Sequence, residues 1–182
     1  MANIDNSDDI IDSRDVIARM EELQDEVDSF EDDISTAESE ITDLDTAIED
    51  LESEQADLDE KERDEFARLE GEIDEHRSAI QGYRDDIIMH EGSRDDAKEE
   101  LLPFKELEEE AEGYAPDWHH GAALIRDSYF IEYCRELLSD IGDLPADLPG
   151  YIENNIDWDG VADDLKIDYT EVDFDGITYW IR

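Results

Sequence analysis

Basic residues are what this chain most conspicuously lacks. Fourteen Lys and Arg stand against 59 Asp and Glu in 182 residues, a formal net charge of −45, and none of the fourteen lies between Met20 and Glu60. Phosphate contact needs a basic surface, so direct nucleic-acid binding and docking on an anionic membrane are both excluded. Cysteine occurs once, at Cys134, so no intrachain disulfide forms, which fits a reducing compartment. Cys134 stands among Phe130, Ile131, Tyr133 and Leu137 and is expected to be a small buried apolar residue. No apolar run approaches membrane-spanning length, and MANIDNSDD is acidic where a secretory signal would be basic, so a cytoplasmic location is expected.

Catalytic signatures are missing too. The chain has no phosphate-cradling glycine loop, nucleophile motif or zinc spacing, and DWDGVADDLKID lacks the required positions of a calcium loop. Carboxylate pairs occur everywhere by chance among 59 acids, so they carry no argument for glycosidase chemistry. His119-His120 falls in a linker without a supporting cysteine, and His76 and His90 fall on a helix seam as packed neutral imidazoles. The expectation is a protein that is not an enzyme, with no metal and no cofactor.

What is present is a heptad. Met20, Val27, Ile34, Ile41 and Ile48 recur at one core position, and Leu23, Phe30, Ala37, Leu44 and Leu51 at the other. A period of 3.5 held this long predicts a coiled coil, and one helix cannot hide such a stripe alone. A second, weaker stripe runs through Phe66, Leu69, Ile73, His76, Ile80, Tyr83, Ile87, His90, Ala97, Leu101 and Phe104. Between Leu58 and Phe66 the frame shifts by the equivalent of four residues. That shift is either a stutter in one continuous helix or a turn between antiparallel helices. DLDEKERDEF has no Gly or Pro, which speaks against a turn. The two segments are nearly equal in length, and the second carries 8 bases, so the hairpin, turning near 59–65, is the expected form.

The fold expected is therefore mainly α. A flexible N-terminus (1–12) precedes a long acidic helical hairpin or coiled coil (13–112), with Asp12 or Ser13 capping the first helix. A linker (113–121) leads to a small α+β domain (122–182) ending in a β-hairpin. In that domain Asp127–Ile141 is predicted as an amphipathic helix stopped by Gly142, 144–150 as a loop, and a short helix as capped by Asp157. Residues 169–181 alternate around Asp175-Gly176, a turn pair that suits strand twist. About 60 residues make a marginal domain by themselves, so support from the long helices or a second copy is expected.

The acidity itself is uneven. Met20–Glu60 holds 19 acids and no base, whereas Lys61–Glu112 holds 19 acids and 8 bases. Even acidity would suit adaptation to high salt; the asymmetry points to function. As a helix, 41 residues span roughly 61 Å, one charge per about 3.2 Å. Two such segments side by side would carry one per about 1.6 Å, close to the roughly 1.7 Å of duplex DNA. The carboxylates expected to stand in for phosphates are Glu21, Glu22, Asp25, Glu26, Asp28, Glu31, Asp32, Asp33, Asp43, Asp45, Glu49, Asp50, Glu52 and Glu54. The expected partner is a basic DNA-binding host protein, a restriction or defence enzyme, and the chain itself is expected to form a homodimer. The alternative is a structural or adaptor coiled coil whose C-terminal domain mediates docking or oligomerisation.

LIRDSYFIEYCRELLSDIG (124–142) and IDWDGVADDLKIDYTEVDFDGITYWIR (156–182) resemble the C-terminal domain of ArdA-type antirestriction proteins, over about a third of the chain. The pattern IDW…DYT.V.FDG.TYW carries the resemblance. It implies a small acidic α+β domain of a dimeric DNA mimic, made by phages or mobile elements, that occupies the DNA groove of a host restriction enzyme. The acidic coiled coil stands where that family has its N-terminal domains.

Overall fold

The computed structural model describes residues 4, 6–59, 61–145 and 147–182. Helix α1 spans Ser13–Ala56 and α2 spans Arg63–Ala111. Their side chains meet in antiparallel register: Glu52 with Arg77, Asp33 with His90, and Glu31 with Lys98. The hairpin thus forms, and no glycine or proline makes its turn. Instead the Glu62 carboxylate accepts from the Asp59 backbone N–H at 2.9 Å, and Asp59 C=O accepts from Glu62 N–H at 2.9 Å. That reach-back satisfies donors at the start of α2 as a capping box does. Gln55 Nε2 donates to Phe66 C=O across the turn at 3.4 Å.

The chain divides into two units: Leu23–Glu99, and residues up to Glu22 together with Glu100–Arg182. The helical unit is a two-helix seam. Ile48, Ile73 and Ile80 are buried at its centre, with Ile41, Leu44 and Leu51 packed partly buried against them. Two helices cannot surround a side chain, so partial burial is the ordinary outcome here.

The mixed unit is built on an antiparallel four-stranded sheet in the order β1-β2-β4-β3. Its strands are β1 (Ile10–Asp12), β2 (Ala123–Arg126), β3 (Thr170–Phe174) and β4 (Ile177–Ile181). β3 and β4 pair with Phe174 opposite Ile177, through the expected Asp175-Gly176 turn. Both turn residues have positive φ, 50° and 78°, as that tight hairpin turn requires. Helix α4 (Phe130–Asp140) follows a 3-10 turn at Asp127–Tyr129, and Gly142, at φ 82°, stops it. Short helices α3 (Trp118–Gly121) and α5 (Gly150–Glu153) follow the chain's turns. Asp157 caps α6 (Trp158–Lys166), accepting from Gly160 N–H at 3.2 Å. Phe130, Cys134, Ala162, Ile125 and Tyr169 form one core cluster, so Cys134 is the buried apolar residue expected of it.

Three expected boundaries change. The N-terminus expected to be flexible (1–12) contributes β1, and Tyr179 Oη donates to Asp8 C=O at 2.7 Å. Arg126 likewise donates to Ser7 C=O at 3.0 Å; residues 1–3 and 5 lie outside the described residues. The linker at 113–121 is packed: Ala115 and Trp118 are buried. Ser13, itself buried, donates through Oγ to Trp118 C=O at 2.6 Å and accepts from Ala122 N–H at 2.8 Å. Third, the small domain extends beyond 122–182. Phe104 of α2 packs on Phe174 at 5.1 Å between ring centroids, and Glu110 accepts from Asp173 N–H at 2.9 Å. About 60 residues bury only a marginal core, and the ends of both long helices add to it.

Candidate functional site

In α1 the buried residues Val27, Ile34, Ala37 and Ile48 fix the seam, and the heptad then places every acid. Glu26, Glu31, Asp33, Asp45, Glu52 and Glu54 flank the seam. Glu21, Glu22, Asp25, Asp28, Asp32, Asp43, Glu49 and Asp50 occupy the outward positions. All fourteen are exposed except Glu22, which is half-buried. Glu21 and Glu22 belong to the mixed unit, and the other twelve belong to the helical unit.

Five of the fourteen have partners. Glu22 pairs with Arg19 at 2.6 Å, Glu31 with Lys98 at 2.7 Å and Glu52 with Arg77 at 2.8 Å. Asp33 lies 3.9 Å from His90, and Asp28 accepts from Gln24 at 2.8 Å. The remaining nine make no hydrogen bond or ion pair among the described residues. These are Glu21, Asp25, Glu26, Asp32, Asp43, Asp45, Glu49, Asp50 and Glu54. The bases of α2 neutralise less of α1 than their number promises. Arg68 spends itself on Glu65 and Glu72 of its own helix, and Arg94 on the adjacent Asp95.

Two features differ from the even rail of charge that the composition implies. Ser35, Thr36, Ser39, Thr42 and Thr46 occupy the outward positions in the middle of α1. Thr42 and Thr46 turn their hydroxyls onto the helix's own carbonyls, at 2.9 and 3.0 Å. The outward acids therefore form two groups, Glu21–Asp32 and Asp43–Asp50, about 16 Å apart along the axis. The flanking acids Glu38 and Glu40, outside the set picked from sequence, are exposed across that gap. Their even spacing with Glu31, Asp33, Asp45 and Glu52 in the heptad was the signal that would have found them.

The helix beside α1 is α2 of the same chain, so the doubled 20–60 segment that matched DNA does not arise within one chain. The helical unit instead carries 30 acids against 7 bases. Over the roughly 51 Å of α1 it contains, that is one net charge per about 2.2 Å, against about 1.7 Å for duplex DNA.

Elsewhere, His119 lies 3.3 Å from Glu112, and among the described residues no group of three His, Cys, Asp or Glu is placed to hold a metal ion. Among them too, no helix is long and apolar enough to cross a membrane. No family model matches the chain, and neither the curated proteins nor the solved structures contain a match.

Proposed function

We propose that this protein is a DNA-mimicking inhibitor, encoded by a phage or mobile element. It blocks the DNA-binding cleft of a host restriction enzyme or other DNA-processing protein in the host cytoplasm. The observation that carries the reading is the set of nine exposed, unpaired carboxylates on one helix that has no base from Met20 to its end. Each would meet a Lys or Arg of the target. Single exposed pairs contribute only about 0.2–1 kcal/mol, so affinity comes from the sum and falls steeply with salt. The resemblance of 124–142 and 156–182 to ArdA-type C-terminal domains supports the same reading. It directs the first test to a type I restriction enzyme.

The test is competition. The protein is mixed with the enzyme and labelled duplex DNA, and bound DNA is followed as salt rises. Displacement is expected at low salt, fading at high salt. It should be lost when Asp25, Asp32, Asp43 and Asp50 become Asn and Glu49 and Glu54 become Gln. A control variant neutralises six acids between Asp140 and Asp168, giving the same net charge, and keeps its activity. Equal loss in both variants would reduce the effect to bulk charge.

The adaptor reading has its own observation: the mixed unit exposes Tyr151 at 75% and Ile167 at 80%. Partners captured at high salt, and lost on Tyr151→Ser with Ile167→Ser, would favour it.

A further inference from the structure

The two edges of the helical seam are charged differently, and the register of the hairpin decides which is which. Glu52–Arg77 and Glu31–Lys98 close one edge, at 2.8 and 2.7 Å. The two pairs stand 21 residues apart on each helix, so the heptads between them keep the same match. Asp45 therefore comes level with Arg84, and Glu38 with Glu91. Arg77, Arg84 and Lys98 all serve this edge.

The other edge has no base on either helix. Its positions in α1 are Glu26, Asp33, Glu40, Ala47 and Glu54, and in α2 Glu65, Glu72, Ala79, Asp86 and Ser93. Arg68, one position further out on α2, holds Glu65 and Glu72. Asp33 lies 3.9 Å from the His90 imidazole, whose ring packs on Phe30 at 5.9 Å between centroids. One heptad on, Glu40 comes opposite Tyr83, and Asp86, a turn from Tyr83, faces it across the seam. Glu26, Glu40, Glu54 and Asp86 are exposed and make no hydrogen bond or ion pair among the described residues.

Like charges brought together across a seam destabilise it. One edge obeys that rule and the other breaks it, within the same pair of helices. A local rule broken on one side alone marks a place where function outweighs stability.

We propose that the base-free edge is where the basic partner docks, with its Lys and Arg side chains entering between carboxylates of both helices. The proposal rests on the inhibitor reading and narrows it. Of the unpaired outward acids, Asp43 and Asp50 adjoin this edge and belong to the contact; Asp45, level with Arg84, falls outside it. From Glu26 to Glu54 the edge is about 42 Å long. A base set between Glu40 and Asp86 meets two carboxylates at once, as a base in a narrow DNA groove meets the potential of both strands. The occupant is thus a segment of a DNA-binding protein that carries its bases in a line.

The experiment compares two variants of the full chain that lose the same charge. Glu26→Gln, Asp33→Asn, Glu40→Gln and Asp86→Asn strip the base-free edge. Glu31→Gln, Glu38→Gln, Glu52→Gln and Glu91→Gln strip the balanced one. The probe is a labelled peptide of twelve lysines, about 40 Å long when extended, at about 50 mM NaCl. The first variant should bind it at least about tenfold more weakly than the unaltered chain, and the second no more than about twofold. Melting temperatures should move oppositely: up for the first, which sheds like charges, and down for the second, which loses ion pairs. Carbodiimide coupling of the bound peptide should mark Glu26, Glu40 and Asp86 in preference to Glu31, Glu38 and Glu52. Equal weakening in the two variants overturns the proposal, and so does equal marking of the two edges. The same variants in the DNA-displacement assay separate the two readings. A chain that binds the peptide through this edge and fails to displace DNA retires the inhibitor and keeps the docking edge. Displacement lost equally in both variants keeps the inhibitor and overturns the edge.

Discussion

The two units of this chain are held by different physics. The mixed unit is fastened by contacts between residues far apart in sequence: Ser13 with Trp118 and Ala122, Tyr179 with Asp8, and Asp173 with Glu110. Trp118, Tyr179 and Phe130 are its largest fully enclosed side chains. The helical unit has a single seam, and much of that seam is only partly covered. It also carries 30 acids and 7 bases in 77 residues, against 29 and 7 in the 105 of the mixed unit. The comparison teaches that the same acidity costs the two units differently. A sheet with enclosed aromatics absorbs the repulsion. A two-helix seam keeps most of its charge at the surface with little core to oppose it.

The largest test of this contrast is Trp118→Ala. Loss of an enclosed indole costs about 3–5 kcal/mol. The mixed unit is expected to melt first, seen as loss of near-ultraviolet circular dichroism, while amides of Glu26–Glu52 keep their hydrogen-exchange protection. Simultaneous loss of both would show one cooperative unit and break the comparison.

A smaller effect is expected from Ile80→Ala in the seam, about 2 kcal/mol, because two helices can close on the gap more readily than a sheet core can. Hydrogen exchange should speed up in 41–52 and 69–87 and remain unchanged in β2 and β4.

The smallest concerns pH. The Lys166 ammonium, and next the Trp180 N–H, both bonded to Asp127, hold its carboxyl below the ordinary aspartate value. A folded value below the unfolded one means that the unfolded chain binds more protons in that window. The stabilisation is therefore complete above the ordinary value of about 3.9 and is lost as pH falls through the depressed one. Asp127 is half exposed, so screening limits its contribution to about 1 kcal/mol at neutral pH. Asp127→Asn should cost that much at pH 7 and nothing in strong acid, read by urea unfolding at a series of pH values. A cost independent of pH would assign the effect to packing of Asn rather than to charge.

Legibility followed the range of the interactions. The heptads of α1 and α2, the Asp157 cap, the Gly142 stop and the Asp175-Gly176 turn are each specified by residues within a turn or two, and each is where the pattern placed it, except that Phe66, expected on the α2 seam, is exposed beside the turn. The hairpin was legible through the bases of α2: among the described residues Arg77 and Lys98 pair across to α1, whereas Arg68 bonds within α2. Of the candidate acids, the positions were legible and the pairing was not. Asp33 and Asp45 both flank the seam, and whether either meets a partner depends on which residue of α2 arrives opposite.

By itself, then, the sequence determined the two long heptad helices, their acidity and the closing strand pair, because period, capping and turn chemistry are local; it favoured the hairpin over one continuous helix without deciding between them. Tertiary structure alone decided the rest. β1 (IID) and β2 (ALIR) are too short to show an alternation, and they exist because each satisfies the other's backbone across more than a hundred residues. The burial of Ser13 and Trp118, the recruitment of Glu100–Ala111 to the sheet, and the division into two units belong to the same class. Their energies come from pairings between distant residues, and no local pattern records which distant residue will be there.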